Sequence, residues 1–382
     1  MNCQNLFSVI DELNDTYCGI WEDVCNIESP TNYKKGVDEV GTYFIKLASR
    51  RGWLIEVLEH EQAGNAICIT MNHESEAEPV VFSGHIDTVH PVGLFGTPAV
   101  HTDGEKIYGP GVTDCKGGVV ASFMAMDALE KCGFTARPVK IIIQSDEETG
   151  SKTSGLKTVE FMCRKAKGAV AFLNAEPWSG HSAVLRRKGI LRYQFTVSGK
   201  AAHSSTCHLG ANAIAEAAHK ILKLEALKDV NALTCNCGII TGGTVANTVA
   251  EKCSFTADFR FSSEEECAKA RAIAQEVCEQ SAIEGCSCEL EQVSFRPAMP
   301  LCERNRELLG KMNEIYRQSG LPQLVEDSGS GGSDAAYITQ AEIPCVDSVG
   351  VKGGRIHSVE EYAYLDSLAA CAKHLAAVAY CI

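Results

Sequence analysis

No stretch of the 382-residue chain approaches about 18 apolar residues, so nothing in it reads as a membrane span. The first residues, Met1-Asn2-Cys3-Gln4-Asn5, lack a basic segment followed by an apolar one, and a secretory leader is not expected. Positive charge is in deficit. There are 35 lysines and arginines against 49 aspartates and glutamates, a formal net charge of −14. A phosphate-binding surface needs the opposite balance, which argues against nucleic acid as a partner. The 19 cysteines include no pair of Cys-x-x-Cys motifs, and Cys235-x-Cys237 and Cys286-x-Cys288 are spaced too closely for a zinc knuckle. An odd number of scattered thiols in apolar or helical contexts suits small hydrophobes in a reducing compartment, so a cytoplasmic setting is expected. No internal repeat or low-complexity tract is present.

What is there is ordinary in bulk and informative in order. Hydrophobic residues make up 45% and charged residues 22%, as in a soluble globular protein. The length exceeds one ordinary core and suggests two domains. In the first half, helical spacing over 6–27, 37–50, 116–131 and 156–164 alternates with strand-like runs at 53–58, 66–71, 80–85, 139–144 and 169–173. This predicts an α/β domain with a mixed central sheet and helices on both faces. From 190 the order changes to strand 190–197, helix 211–227, strands 235–241 and 247–261, helix 263–282 and strand 286–294. That is a βαββαβ open sandwich, here expected as an inserted lid. The expected domains are a catalytic one made of residues 1–184 and 297–382, with the lid at 185–296 between them.

The apolar run Val80-Val81-Phe82-Ser83 ends in Gly84-His85-Ile86-Asp87-Thr88. Residues two apart on a strand face the same way, so His85 and Asp87 can pair, one imidazole nitrogen on a metal and the carboxylate on the other. In Tyr108-Gly109-Pro110-Gly111-Val112-Thr113-Asp114, glycines permit a tight turn before a helix. Asp114 there can cap the helix or bridge two cations. Ser145-Asp146-Glu147-Glu148-Thr149-Gly150 directly follows a strand, where adjacent carboxylates repel unless a cation lies beside them. Either glutamate could then bind metal while its neighbour takes a proton. Glu176 before Pro177 ends the next strand, and His357 lies in the Gly353-Gly354-Arg355-Ile356-His357 loop. Ligands in such sheets bind beyond the carboxyl ends of the strands. His85, Asp114, Glu148, Glu176 and His357 suit a pair of zinc ions: two imidazoles, two terminal carboxylates and a shared one.

These motifs, in this order and over nearly the whole chain, resemble the dinuclear zinc aminoacylase and carboxypeptidase superfamily, which includes acetylornithine deacetylase, succinyl-diaminopimelate desuccinylase and glutamate carboxypeptidase. The resemblance implies that His85 and Glu176 bind one zinc, Glu148 and His357 the other, and that Asp114 bridges them. Cobalt or manganese would be substitutes. It further implies that Asp87 orients His85, that Glu147 is the general base, and that the Asp114-Cys115 peptide is cis. Cysteine at 115 departs from the aspartate or methionine expected there. His203, in Gly199-Lys200-Ala201-Ala202-His203-Ser204, matches a histidine that polarises the scissile carbonyl, often from a partner subunit. Asn247 and Arg260 match positions that hold a substrate carboxylate, a task suited to the guanidinium fork. Gly332 and Ser333 belong to a loop, 328–334, resembling the family's glycine-rich substrate loop. A homodimer through the lid is expected. The Gly-Pro-Gly turn, where deacetylases more often carry Gly-Arg-Gly, and the acidic string at 146–151 tilt the reading toward a carboxypeptidase- or dipeptidase-like enzyme. The substrate would be a short peptide cleaved beside its free carboxylate. An N-acyl amino-acid deacylase is the alternative, and a non-catalytic binder of peptides or amino-acid conjugates the rival of another class.

Overall fold

The computed structural model of the protein describes residues 3–382. The chain forms two compact units. One comprises the chain up to Arg186 with Leu301–Ser328 and Ser333–Ile382; the other comprises Arg187–Pro300 with Gly329–Gly332.

The first unit opens with helices α1 (Gln4–Asn26) and α2 (Lys34–Ser49) and strands β1 (Leu54–Leu58), β2 (Ala66–Met71) and β3 (Val80–His85). Two short strands follow, β4 (His101–Thr102) and β5 (Lys106–Tyr108), then α3 (Lys116–Lys131), β6 (Val139–Gln144), α4 (Lys157–Ala166), β7 (Ala171–Asn174) and β8 (Ser182–Arg187). The second unit contributes β9 (Gly189–Ser198), α5 (Ala213–Glu225), β10 (Thr234–Gly242), β11 (Lys252–Phe261), α6 (Glu264–Glu279) and β12 (Ser287–Arg296). The chain then returns through α7 (Glu303–Ser319), β13 (Val325–Gly329), α8 (Ala335–Gln340), β14 (Cys345–Val346), β15 (Gly353–Gly354), β16 (Tyr362–Tyr364) and α9 (Asp366–Cys381).

The main sheet has the order β1-β2-β6-β3-β7-β14. Strand β3 runs parallel to both β6 and β7, whereas β2 is antiparallel to β6. The sheet is therefore mixed, and the carboxyl ends of β3, β6 and β7 share one edge. β2 and β3 are buried along their whole length, which explains their near-continuous apolar sequences. Consecutive residues of β3 show the two covered faces. Ser83 reaches Met162 of α4, while Gly84 lies against Val119 of α3. Helix α3 is buried from Lys116 to Leu129 because it packs between the sheet, α1 and α9. A four-stranded sheet, β15-β16-β5-β4, was not foreseen; strands of two or three residues are too short to show a period. Strand β8, paired with β13, was also unexpected.

The second unit is an antiparallel sheet, β10-β11-β9-β12, packed on α5 and α6. Alternation along β9 buries Leu191, Tyr193, Phe195 and Val197 and leaves Ile190, Arg192, Gln194 and Thr196 half-exposed. Phe195 and Phe255, directly opposite in register, stack with centroids 4.7 Å apart. Asn212 caps α5 and Ser263 caps α6, whose first turn carries three glutamates at its positive end. β11 begins at Lys252, not at 247. Asn247 lies in a preceding loop, held where Ser204 N–H donates to its carbonyl at 2.9 Å. No described helix is long and apolar enough to cross a membrane.

Candidate metal centre

The candidate ligands gather at the shared edge of the first unit. His85 is the last residue of β3, Asp114 closes the turn before α3, Glu148 lies in the short turn after β6, and Glu176 follows β7 by two residues. His357 comes from the loop between β15 and β16, in a left-handed backbone conformation (φ 62°). Asp114 stands between the histidines. Its Oδ1 is 3.1 Å from His85 Nε2 and its Oδ2 is 3.3 Å from His357 Nε2. Glu176 Oε1 lies 3.6 Å from His85 Nε2, and Glu148 Oε2 lies 3.3 Å from His357 Nε2. The arrangement is two imidazole–carboxylate pairs sharing one aspartate, with one oxygen toward each. The Asp114–Cys115 peptide is cis.

The electrostatics fit a site built for cations. Glu176 Oε1 is buried without a hydrogen-bond partner. Burial pushes the Glu148 carboxyl up to about 7, and burial with neighbouring carboxylates drives Glu176 well above the usual range. Burial also works on Asp114, but hydrogen bonds from His357 and His85 outweigh it and hold that carboxyl low. Hydrogen bonds to Asp114 and Glu148 carry His357 up to about 10. Without other cations, protons must serve as the countercharge. Divalent ions would replace them with donors that match hard and borderline metals.

Asp87 is placed differently from the strand-alternation argument. β3 ends at His85, so the alternation does not extend to Asp87. The His85 Nδ1 meets the Asp87 backbone carbonyl at 2.9 Å, with the Asp87 carboxylate at 3.4 Å. That fully buried carboxylate accepts from Thr31 Oγ1 at 2.7 Å and from the N–H groups of Glu147 and Glu148 at 3.1 and 3.2 Å. Asp87 thus ties the histidine strand to the acidic turn and sits at the positive end of that turn. Glu147, also buried, is close enough to raise Glu148 and Glu176.

Other organising residues escaped the sequence reading. Glu361 is buried and accepts from Thr113 N–H (2.9 Å), Asp114 N–H (3.1 Å) and Gly111 N–H (3.2 Å), and its Oε2 is 3.3 Å from His90 Nε2. One carboxylate therefore folds the whole Gly-Pro-Gly turn around Asp114. Lys116 is buried and donates to Val24 O and Ile27 O at 3.1 and 2.7 Å, fastening the start of α3 to the end of α1. The only available sequence signal was a turn with several N–H groups lacking an acceptor. Ser333 is fully buried. Its hydroxyl accepts from Asn174 Nδ2 (3.1 Å) and Ala335 N–H (3.2 Å), so it is engaged in holding β7 and α8.

In the second unit, His203 is exposed and its Nδ1 accepts from Ser205 N–H at 3.2 Å. It bridges to Thr248, which brings His203 beside Asn247. Arg260 donates to Asp258 at 2.6 Å, and Arg192 pairs with the same carboxylate. Gly332 lies against Ile190 and Arg296: a Cβ there would come within 2.9 Å of Ile190 Cδ1 and 2.8 Å of Arg296 Cδ. Ile190 is opposite Arg260 in the sheet. Gly332 and Arg260 therefore share one end of this sheet, along with Arg296.

Comparison with known proteins completes the picture. The model for peptidase family M20/M25/M40 matches residues 81–380. The chain belongs to this family. A member of peptidase family M20/M25/M40 is a hydrolase of peptide or amide bonds. Members are metal-dependent, and the donor cluster fits that requirement. Among relatives, carboxypeptidase G2 of a Pseudomonas species is 27% identical over 90% of this chain and 83% of its own length. A succinyl-diaminopimelate desuccinylase of Nitrosospira multiformis is 25% identical over 93% and 95%. A solved tripeptidase from Staphylococcus aureus superposes with a TM-score of 0.79 at 21% identity, covering 96% of this chain and 98% of that one. An M20 family metallo-carboxypeptidase from Sulfolobus solfataricus gives 0.77 at 17% identity, covering 95% and 98%. At those identities the two structures speak for the fold, with the mixed sheet and second unit expected of it.

Proposed function

We propose that the chain is a dinuclear zinc carboxypeptidase or dipeptidase that hydrolyses the amide next to a free carboxylate. The observation that carries this reading is Asp114, which turns one oxygen to each of two imidazoles, each accompanied by its own glutamate. His85 and Glu176 would hold one ion, Glu148 and His357 the other, and Asp114 both. Two such ions, when bound, polarise the scissile carbonyl and make water acidic enough to attack at neutral pH. Glu147 takes the proton from the attacking water and returns it to the leaving amine. Asp87 fixes the position of both glutamates through their N–H groups. Arg260 and Asn247 hold the substrate carboxylate, with Asp258 aligning the guanidinium. Gly332 allows backbone to approach at the same end of the sheet.

Deacylation of N-acyl amino acids is the second reading, favoured by similarity to the desuccinylase over 93% of the chain. We propose further that the second unit is a lid that forms a homodimer, from which His203 polarises the carbonyl of the partner's substrate. Its edge strand β10 exposes Ile239 (65%) and Ile240 (53%), an unpaired apolar edge of the kind that self-association covers. The described cysteines form no disulfide, which favours the cytoplasm as the setting.

A panel of dipeptides and N-acyl amino acids, each with a free or an amidated carboxylate, tests the reading on zinc-loaded protein. Hydrolysis of the free-carboxylate peptides, with kcat/KM falling sharply on amidation, is expected. Preference for N-acyl amino acids selects the second reading. Binding without turnover across the panel would contradict both and leave a non-catalytic binder.

A further inference from the structure

His357 lies in the loop that joins β15 to β16, and its side chain is half-exposed. Arg355 and His357 both have positive φ (54° and 62°), a backbone state that non-glycine residues keep only where their surroundings fix it. Within the loop, Ser358 N–H donates to Arg355 O at 3.2 Å and Glu361 N–H donates to Ser358 O at 3.1 Å. His357 and Glu361 therefore belong to one hydrogen-bonded segment.

Glu361 carries that segment onto the turn of Asp114. Its side chain is buried, whereas its neighbour Glu360 is exposed and pairs with Arg355. A carboxylate is costly to bury unless hydrogen bonds replace its water. The turn supplies them, with Thr113 and Asp114 N–H donating to Oε1 and Gly111 N–H to Oε2. Two contacts to the main chain reinforce the junction: Gly109 N–H donates to Glu361 O at 3.3 Å, and Thr113 Oγ1 donates to Tyr362 O at 2.6 Å. The hairpin comes this close because residue 353 is glycine. A Cβ there would lie 2.1 Å from Thr113 Oγ1 and 2.2 Å from Tyr362 O.

We infer that Glu361 is a positioning residue for one ion of the pair. By fastening the hairpin to the turn, it sets the 3.3 Å separation of His357 Nε2 from Asp114 Oδ2, and with it the affinity for the ion those two ligands share with Glu148. The inference rests on the dinuclear reading above. The other ion depends less on Glu361, because His85 and Glu176 are placed by β3 and β7 of the main sheet. The rival is a general folding role, in which loss of Glu361 weakens both ions alike.

Zinc titration of the full-length protein against a competing chelator resolves the two affinities, and His357→Ala marks which of them belongs to His357. Glu361→Ala should weaken that ion by about 10–100-fold, the size of effect seen when a group supporting a ligand is removed, and leave the other nearly unchanged. Glu361→Gln keeps an acceptor oxygen for the Thr113 and Asp114 N–H groups and should recover part of the loss. Glu360→Gln, which removes an exposed charge from the same loop, should alter neither affinity. In the His357→Ala background, Glu361→Ala should weaken the remaining ion no further. Equal weakening of both ions by Glu361→Ala, or unaltered affinity for both, would overturn the inference. Where neither Glu361 variant folds, Thr113→Val removes only the hydroxyl bond to Tyr362 O and should still weaken the His357 ion selectively. No selective loss in that variant would overturn the inference as well. Fewer than two ions on the unaltered chain would overturn the dinuclear reading, and this inference with it.

Discussion

Glu147 and Glu148 are neighbours in one turn, and the account gives them different tasks. Glu148 lies 3.3 Å from His357 among the ligands, whereas Glu147 is assigned the proton. Glu147→Gln should therefore keep its metal and lose about 10²–10⁴ in kcat, the usual contribution of a general base. Glu148→Ala should lower metal content. Metal analysis alongside steady-state rates checks both, and a Glu147→Gln enzyme with near-normal kcat would refute the assignment. At this scale the sequence was readable where a carboxylate or histidine followed a strand or stood in a glycine-rich turn, as at His85, Asp114 and Glu176. It was opaque for Glu361, whose three N–H donors sit about 250 residues earlier in the chain. No local pattern announces such an acceptor.

Among the elements, α5 and α6 are joined by a buried pair. Lys220 of α5 lies 3.1 Å from Glu216 and donates to the carbonyls of Val277, Cys278 and Gln280 at the end of α6. Glu216 in turn accepts from the N–H groups of Ala282 and Ile283 at 2.8 and 2.7 Å. The lysine supplies positive charge where α6 leaves its last carbonyls unpaired. Lys220→Met should destabilise the second unit by about 3–5 kcal/mol, because it strands a buried carboxylate. Hydrogen exchange of β9 and β11 amides measures this, and a change below about 1 kcal/mol would contradict it. Burial pushes the Glu216 carboxyl up, but Ile283 N–H, Lys220 and Ala282 N–H together hold it below its usual range. A depressed folded value means stability present above the unfolded pKa of about 4.3 and lost as pH falls through the folded one. Glu216→Gln should remove this acid-dependent loss. The long elements here were legible because their apolar periods run for ten residues or more. Strands β4, β5, β15 and β16 were not, since tertiary pairing alone defines them.

For the whole molecule, the order βαββαβ in the second unit could be read from period changes along the chain, and so could the mixed sheet before it. The start of β11 could not, because Thr248 pairs with His203 across a loop and delays the strand. If the second unit dimerises and His203 acts in the partner's site, mixed dimers test it. Subunit exchange between inactive His203→Ala and Glu147→Ala homodimers should restore activity at one site per heterodimer. Verified exchange without recovery would place His203 in its own chain's site or outside the reaction. The central claim, two ions held around one shared aspartate, is tested most directly by elemental analysis of protein saturated with zinc and freed of excess. The account predicts two zinc ions per chain, falling toward one in His357→Ala. One ion per chain in both proteins would contradict it.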